Sequence, residues 1–188
     1  MNILTDGLPM AVEIDGAEYQ LNTDFRTCLK IILAFEDEEL TGYEKQMVML
    51  ALLYKGIPPD TQKACELAVK FLNCGEVPSE GGEGAGDRLY SFTHDARYIY
   101  SAVDRLLCGR LNRGDSIHWW EFVTAFMELP EDCMMSRILY LRAQHAKGKL
   151  TKEERQQWAQ MRDVLELPVH RTADEAAREE EFMRLLRG

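Results

Sequence analysis

One histidine and one carboxylate stand at a spacing that could bind a metal ion. His118 and Glu121 lie one helical turn apart, so both side chains could face the same ligand. A metal site needs a second pair, yet the sequence contains no H-E-x-x-H motif, and the nearest other histidines are the distant His94 and His145. The pattern favours a polar group at the edge of a core, and we expect no metal and no cofactor.

The cysteines offer a second possible chemistry, as nucleophiles, zinc ligands or disulfides. Their number is odd, and none lies in a C-x-x-C pair. No local arrangement of cysteine and histidine predicts an activated thiol. Because free cysteine commonly packs as a small hydrophobic residue, we interpret the set as core filling. Its members are Cys28, Cys65, Cys74, Cys108 and Cys133.

The other polar motifs do not indicate catalysis either. The glycines between Gly81 and Gly86 match no phosphate-binding fingerprint and follow no predicted strand, so a nucleotide site is not expected. Asp95, Arg97 and Asp104 are interpreted as charged residues of a solvated helix surface. The sequence therefore predicts a binding protein rather than an enzyme.

Composition limits the class of partner. With 188 residues and 46% hydrophobic content, the chain can form one domain with a proper core. Its net charge of −10 argues against nucleic acid and favours a cationic or apolar protein surface as the target. No apolar run is long enough to span a membrane, and the N-terminus lacks the pattern of a signal peptide. We expect a cytoplasmic protein that binds no membrane.

The densest apolar segment is a helix that carries two of the three tryptophans. Trp119, Phe122 and Phe126 share one predicted face, and further apolar groups surround most of the helix. Such a helix must be covered on more than one side. We predict that these three side chains belong to the structural core, together with Tyr100 from a preceding helix.

The remaining elements predict a mainly α, multi-helix single domain with a short N-terminal β-hairpin. Strands at 12–14 and 17–19 alternate around Asp15-Gly16, a pair suited to a two-residue turn. The hairpin either lies on the helices or pairs with a second copy of the chain, which leaves a homo-oligomer open. Helices are predicted from a cap at Asn22 or Thr23 to residue 36, then at 41–56, 60–73, 93–108, around 119–127, and from 130 and 151 onward.

The sequence predicts that the chain is divided into three regions. Residues 1–22 form an N-terminal arm and hairpin, and residues 23–167 form a helical core domain containing an acidic, glycine-rich mobile loop at 75–87. Residues 168–188 form a linker and an amphipathic helix at about 172–186. Phe182, Leu185 and Leu186 cluster on one side of that helix, which either docks loosely on the domain or binds a partner helix.

Several short strings, in order along nearly the whole chain, resemble the siphophage "gene product fifteen" family of Firmicute phages and prophages. They are LTDGLP at 4–9, TDFR at 23–26, LYSF at 89–92, DARYIY at 95–100, HWW with Phe122 at 118–122, and EFMRLL at 181–186. The chain departs from the resemblance in the connector 108–116, which is more basic and richer in glycine than expected.

The resemblance implies a gene in the tail-morphogenesis cluster near the tape measure gene, where tail assembly chaperones are encoded. Its expected partners are the tape measure protein and the tail tube protein, in the cytoplasm of the bacterial host. The family brings no catalytic residues. Two functions stay open: a tail assembly chaperone that is absent from the finished particle, and a structural virion component such as a tail-completion or connector protein.

Overall fold

The computed structural model describes residues 2–76 and 89–168, which form helices and one antiparallel β-hairpin. The predicted mainly α fold with an N-terminal hairpin is confirmed. The elements in chain order are α1 (Ile3–Asp6), β1 (Ala11–Ile14), β2 (Ala17–Gln20), α2 (Phe25–Glu36), α3 (Gly42–Leu53), α4 (Thr61–Leu72), α5 (Ala96–Leu106), α6 (Trp119–Met127), α7 (Met134–Ala146), α8 (Lys152–Gln160) and α9 (Arg162–Leu165).

The hairpin turns at Asp15 and Gly16, as predicted. Both residues have positive φ, 52° and 78°, which is the backbone that an Asp-Gly turn provides. Ile14 is buried, and the backbone N–H of Asn22 donates to the carbonyl of Leu53 at 2.7 Å. The hairpin therefore lies on the helices of its own chain.

Helix starts follow the expected chemistry at two positions and depart from it at three others. Thr41 and Thr151 form the capping boxes that their sequences predict, at the starts of α3 and α8. The cap of α2 is Asp24, because the residues before it pair in extended form with 117–119. Helix α5 begins at Ala96 rather than at residue 93, because residues 92–95 form turns. Helix α7 begins after Cys133 rather than at Pro130, since residues 131–133 form a turn and a bend.

The main core is built from α2 to α6 and is centred on aromatic rings. Trp119 and Phe122 are buried, as predicted, and the rings of Phe122 and Phe25 stack with centroids 4.7 Å apart. Phe126 is only partly buried, because it lies where α6 leaves the core. The predicted coverage of α6 on more than one side holds for Trp119, Trp120 and Phe122 but not for the C-terminal end, where Met127 is 78% exposed.

The prediction that Tyr100 belongs to the core is wrong. Its side chain is exposed, and its hydroxyl donates to Asn112 Oδ1 at 2.9 Å. The face of α5 that packs inward contains Ile99, Ala102 and Val103, and Tyr100 lies about 100° around the helix from Ile99. An aromatic residue next to an apolar stripe was mistaken for part of it.

A second, smaller core lies between α7, α8 and α9. Its buried members are Ile138, Leu141, Leu150 and Leu165. The partly buried Tyr98 of α5 packs against both cores and joins them.

Most of the predicted acidic loop and nearly all of the C-terminal region lie outside the described residues. The same holds for Phe182, Leu185 and Leu186, the predicted partner-binding residues.

Candidate binding surface

His118 is a helix cap rather than a metal ligand. Its Nδ1 accepts a hydrogen bond from the backbone N–H of Trp120 at 3.1 Å, and its Nε2 donates to the carbonyl of Pro9 at 2.9 Å. This neutral tautomer uses both ring nitrogens. Burial lowers the pKa of His118 below its ordinary value of 6.5, although the Pro9 carbonyl and Glu121 oppose the shift.

The carboxylate one turn later has its own partner. Glu121 forms an ion pair with Arg110, and Arg110 also lies 3.9 Å from the carboxylate of Asp115. Within residues 2–76 and 89–168 no group of three or more potential ligands could hold a metal ion. The basic connector at 108–116 thus fixes the start of α6 by charge pairing.

Burial makes two of the thiols less acidic than a free cysteine. Burial raises the pKa of Cys28 to about 12 and that of Cys74 to about 11, so both remain protonated at neutral pH. Cys28 and Cys133 are buried, in agreement with core filling. Cys108 is exposed at the turn after α5, so the core-filling interpretation is wrong for that residue.

Sequence reasoning missed a buried ion pair, which we name the Arg142 cluster. It consists of Arg142, the carboxylate of Asp95 and the carbonyl oxygens of Leu89, Val164 and Leu165. The guanidinium contacts Asp95 through two bonds of 2.7 and 2.9 Å. It donates its remaining hydrogens to the three carbonyls at 2.8 to 2.9 Å, so all five N–H groups are used.

The Arg142 cluster corrects the interpretation of Asp95 as a surface residue. Asp95 is fully buried, and its second role is to accept the backbone N–H of Ser91 at 2.9 Å. Asp104 is also buried and accepts from the side chain and the backbone of Asn112. The backbone that each carboxylate binds lies outside α5, before its start for Asp95 and after its end for Asp104, and a charge pattern along one helix does not reveal such partners.

The tryptophan pair ties α6 to the end of α4. The indole N–H groups of Trp119 and Trp120 donate to the carbonyls of Leu72 and Phe71, both at 2.8 Å. These carbonyls belong to the last turn of α4, beyond its regular i+4 hydrogen bonds, and that of Phe71 also accepts from the backbone N–H of Cys74 at 3.0 Å. Gly75 has φ of 89°, and a Cβ at this position would stand 3.1 Å from the ring of Trp120.

An open cleft, which we name the aromatic cleft, lies beside Trp119 and continues along α6 to Met127. Its volume is about 910 Å³, and its walls come from α2, the end of α4, the segment 90–92 and α6. Among the residues that line it are Ile32, Tyr90, Phe92, Phe122, Phe126 and Met127.

Aromatic edges shape one side of the aromatic cleft. The ring of Tyr90 meets that of Phe126 edge-on at 5.0 Å and that of Phe92 at 5.3 Å. Met127 lies at the rim, and apart from Leu4 it is the most exposed large apolar side chain of the described residues. Flexible, polarizable methionine beside aromatic edges is typical of surfaces that accept varied apolar partners.

A second apolar surface, the Phe35 groove, lies across α2, α3 and α4. Its volume is about 600 Å³, and it is lined by Phe35, Met49 and Val69 together with the charged Glu66 and Lys70. Of the large apolar residues in this groove, Phe35 is 41% and Val69 37% exposed. It is the smaller and less aromatic of the two surfaces.

A family comparison decides which proteins this chain is related to. The sequence model described as Bacteriophage Gp15 protein matches residues 4–167, which contain both cores, the Arg142 cluster and the aromatic cleft. The chain belongs to the bacteriophage Gp15 protein family. The predicted resemblance is thereby confirmed, and Gp15 membership supports a role in phage structure or morphogenesis. No curated protein and no solved structure matches the chain.

The Gp15 fold carries no membrane-crossing segment in the part that the structure describes. None of the helices within 2–76 and 89–168 combines the length and the apolar composition that a bilayer span requires.

Proposed function

We propose that this Gp15 protein is a tail assembly chaperone that binds the tape measure protein and tail tube subunits through the aromatic cleft. The observation that carries the proposal is the cleft itself, an open apolar surface on an otherwise acidic chain. No catalytic role is part of the proposal.

The size and lining of the aromatic cleft suit the apolar face of a helix. Cavities of 300 to 1,000 Å³ with aromatic walls are typical of binding sites, and a helix places its anchoring residues into such a groove one turn apart. A tape measure protein is a long helical chain with apolar stripes, which must be covered until tube subunits surround it. The cleft offers the complementary surface.

Charge at the aromatic cleft favours a neutral or basic partner segment. Glu76 is part of the lining, and the exposed Glu128 follows Met127 at the end of α6. Together with the net charge of −10, these carboxylates repel acidic segments and attract segments with lysine or arginine beside the apolar face.

The expected affinity is that of a reversible contact. Covering Tyr90, Phe126 and Met127 contributes about 1.5 to 3 kcal/mol for each side chain that becomes fully buried. Association opposes this gain by roughly 4 to 15 kcal/mol. A chaperone must release its partner when the tube polymerises, and a cleft of this size meets that requirement.

Co-purification with the tape measure protein tests the proposal. The full chain is co-expressed with the tape measure protein, as wild type, as Met127→Glu in the aromatic cleft, and as Phe35→Glu in the Phe35 groove. We expect the tape measure protein to co-purify with wild type and Phe35→Glu and to be lost with Met127→Glu, because the new carboxylate would be desolvated on binding. Equal recovery with both variants would contradict the proposal.

The composition of purified virions separates the two functions that the family leaves open. A chaperone is absent from the finished particle. Stoichiometric amounts of this chain in the particle would instead assign it to a structural component of the tail.

A further inference from the structure

The Arg142 side chain holds Leu89 close to Leu165, the last residue of α9. Arg142 Nη1 donates to the carbonyl of Leu89 at 2.9 Å, and Arg142 Nε donates to that of Leu165 at 2.8 Å. Two hydrogen bonds and the width of one guanidinium place these oxygens within about 8 Å of each other. The C-terminal segment 169–188 therefore starts four residues from a point that is held beside Leu89.

That point lies next to the aromatic cleft. Tyr90, the residue after Leu89, lines the cleft and contacts the ring of Phe126. If the 17 residues from Leu165 to Phe182 had only the rise of a helix, they would span roughly 25 Å. That length is enough to reach the aromatic cleft, whose wall includes Tyr90, the residue after Leu89.

Two segments of the chain start near the aromatic cleft, and their compositions differ. Between 77 and 88, Val77 and Pro78 are the only residues larger than alanine with apolar side chains, and the rest is mostly glycine and charge. The C-terminal segment carries Phe182, Leu185 and Leu186 at the spacing of one helix face. Only the second can supply several anchors to an apolar cleft.

We propose that the C-terminal segment 169–188 occupies the aromatic cleft of its own chain through Phe182, Leu185 and Leu186. The attachment at Leu165 holds the segment at a high effective concentration, in the millimolar range for short tethers, so even a weak contact is populated. A partner helix must then displace it, and this competition, unlike the occupancy itself, rests on the proposed function.

Photo-crosslinking in the full chain tests the occupancy. Phe182 is replaced by p-benzoylphenylalanine, the protein is irradiated at low concentration, and the crosslinked residues are located by mass spectrometry. We expect crosslinks within one chain to residues 90–92 or 123–127. Crosslinks confined to other surfaces, crosslinks between chains only, or none at all would overturn the proposal.

A matched pair of cleft and groove variants checks the specificity of the crosslink. With the photo-reactive residue at 182, Met127→Glu lowers the yield about fivefold or more, and Phe35→Glu leaves it unchanged. Equal yields in the two variants would count against the aromatic cleft as the site. Because both side chains point to solvent, circular dichroism and thermal melting should match those of the parent.

Oxidation of Met127 gives an independent readout without any label. In the full chain, peroxide oxidises Met127 slowly because the segment covers it, and the triple variant Phe182→Ser, Leu185→Ser, Leu186→Ser accelerates the reaction several-fold. Met10, which is 55% exposed, is the internal control and keeps its rate. Equal rates at Met127 in both proteins would contradict the occupancy.

The outcomes separate this inference from the proposed function. Loss of the tape measure protein with Met127→Glu, without any crosslink from 182 to the cleft, would leave the chaperone role and remove the self-occupancy. Crosslinks to the cleft in a chain that never binds the tape measure protein would do the reverse.

Discussion

The Arg142 cluster and the aromatic cleft are neighbours along the chain. The cluster consists of hydrogen-bonded groups around a buried ion pair, whereas the rim of the cleft consists of exposed apolar side chains. At the cluster, every N–H of a buried guanidinium has an acceptor, and three helices are fixed to one another. At the cleft, aromatic edges and the exposed Met127 leave apolar surface in contact with solvent. We expect the cluster to contribute stability, and we propose the cleft as the place where partners bind.

Removing the guanidinium tests the cluster most severely. Arg142→Leu leaves the buried Asp95 carboxylate without its charge partner and removes a donor from the buried carbonyl of Leu165 and the partly buried carbonyls of Leu89 and Val164. We therefore expect a loss of about 3 to 5 kcal/mol in the free energy of unfolding. Urea denaturation monitors the change. Arg162→Leu is the matched control, because its ion pair with Glu166 is exposed and should contribute little. Similar midpoints for the two variants would show that the cluster is not a centre of stability.

Truncating side chains at the two ends of α6 should change the free energy of unfolding by very different amounts. Trp119→Ala removes a buried ring and its bond to Leu72, and the residual cavity brings the expected loss to about 3 to 5 kcal/mol. Met127→Ala should change stability by less than about 0.5 kcal/mol, because the side chain adds little to the core and loses only its weak contact with the C-terminal segment. A strongly destabilised Met127→Ala protein would mean that the rim of the cleft belongs to the core.

Much of the fold was predictable because its signals are local. The hairpin turn at Asp15-Gly16 and the capping boxes at Thr41 and Thr151 each depend on residues within four positions. The pair of Asp95 and Arg142 spans 47 positions, so no local pattern reports it. From sequence alone Asp95 resembles any solvated acidic residue.

The cleft was harder to foresee than the core beneath it. Periodicity placed Trp119 and Phe122 inside, and it assigned Tyr100 there because that residue adjoins the inward stripe of α5. It also assigned Phe126 there, since an apolar stripe does not show where a covering element ends. That boundary is set by tertiary packing, here by where α4 stops under Trp120.

Glycine substitutions can show how closely the end of α4 is packed against α6. Gly75→Ala forces a non-glycine residue to φ of 89° and places its Cβ against Trp120, so we expect a loss of about 1 to 3 kcal/mol. Gly16→Ala has a similar φ of 78° with no atom near the added Cβ. The difference between the two, measured by thermal melting, isolates the contact. Equal losses of stability in the two variants would show that the Trp120 ring moves away from the added Cβ at no cost.

Acidification should weaken the N-terminal cap of α6, because protonation of His118 Nδ1 removes the acceptor of the Trp120 backbone N–H. Burial lowers the pKa of His118 in the folded chain, so the unfolded chain binds more protons below pH 6.5, and stability falls as pH drops from there toward the lowered pKa. In His118→Asn, which keeps a capping oxygen, this part of the pH dependence should disappear. Unfolding curves between pH 5 and 7.5 that stay parallel in the two proteins would contradict the assignment.

The central claim, that the aromatic cleft binds tail proteins during assembly, is tested most directly by a photo-reactive residue at position 127. The full chain carrying p-benzoylphenylalanine in place of Met127 is expressed during phage production, irradiated before lysis, and its crosslinked partners are identified by mass spectrometry. A chain with the same residue in place of Phe35 is treated in parallel. We predict crosslinks to the tape measure protein or the tube protein from position 127 and not from position 35. Crosslinks to those proteins from position 35 alone, or from neither position, would contradict the account.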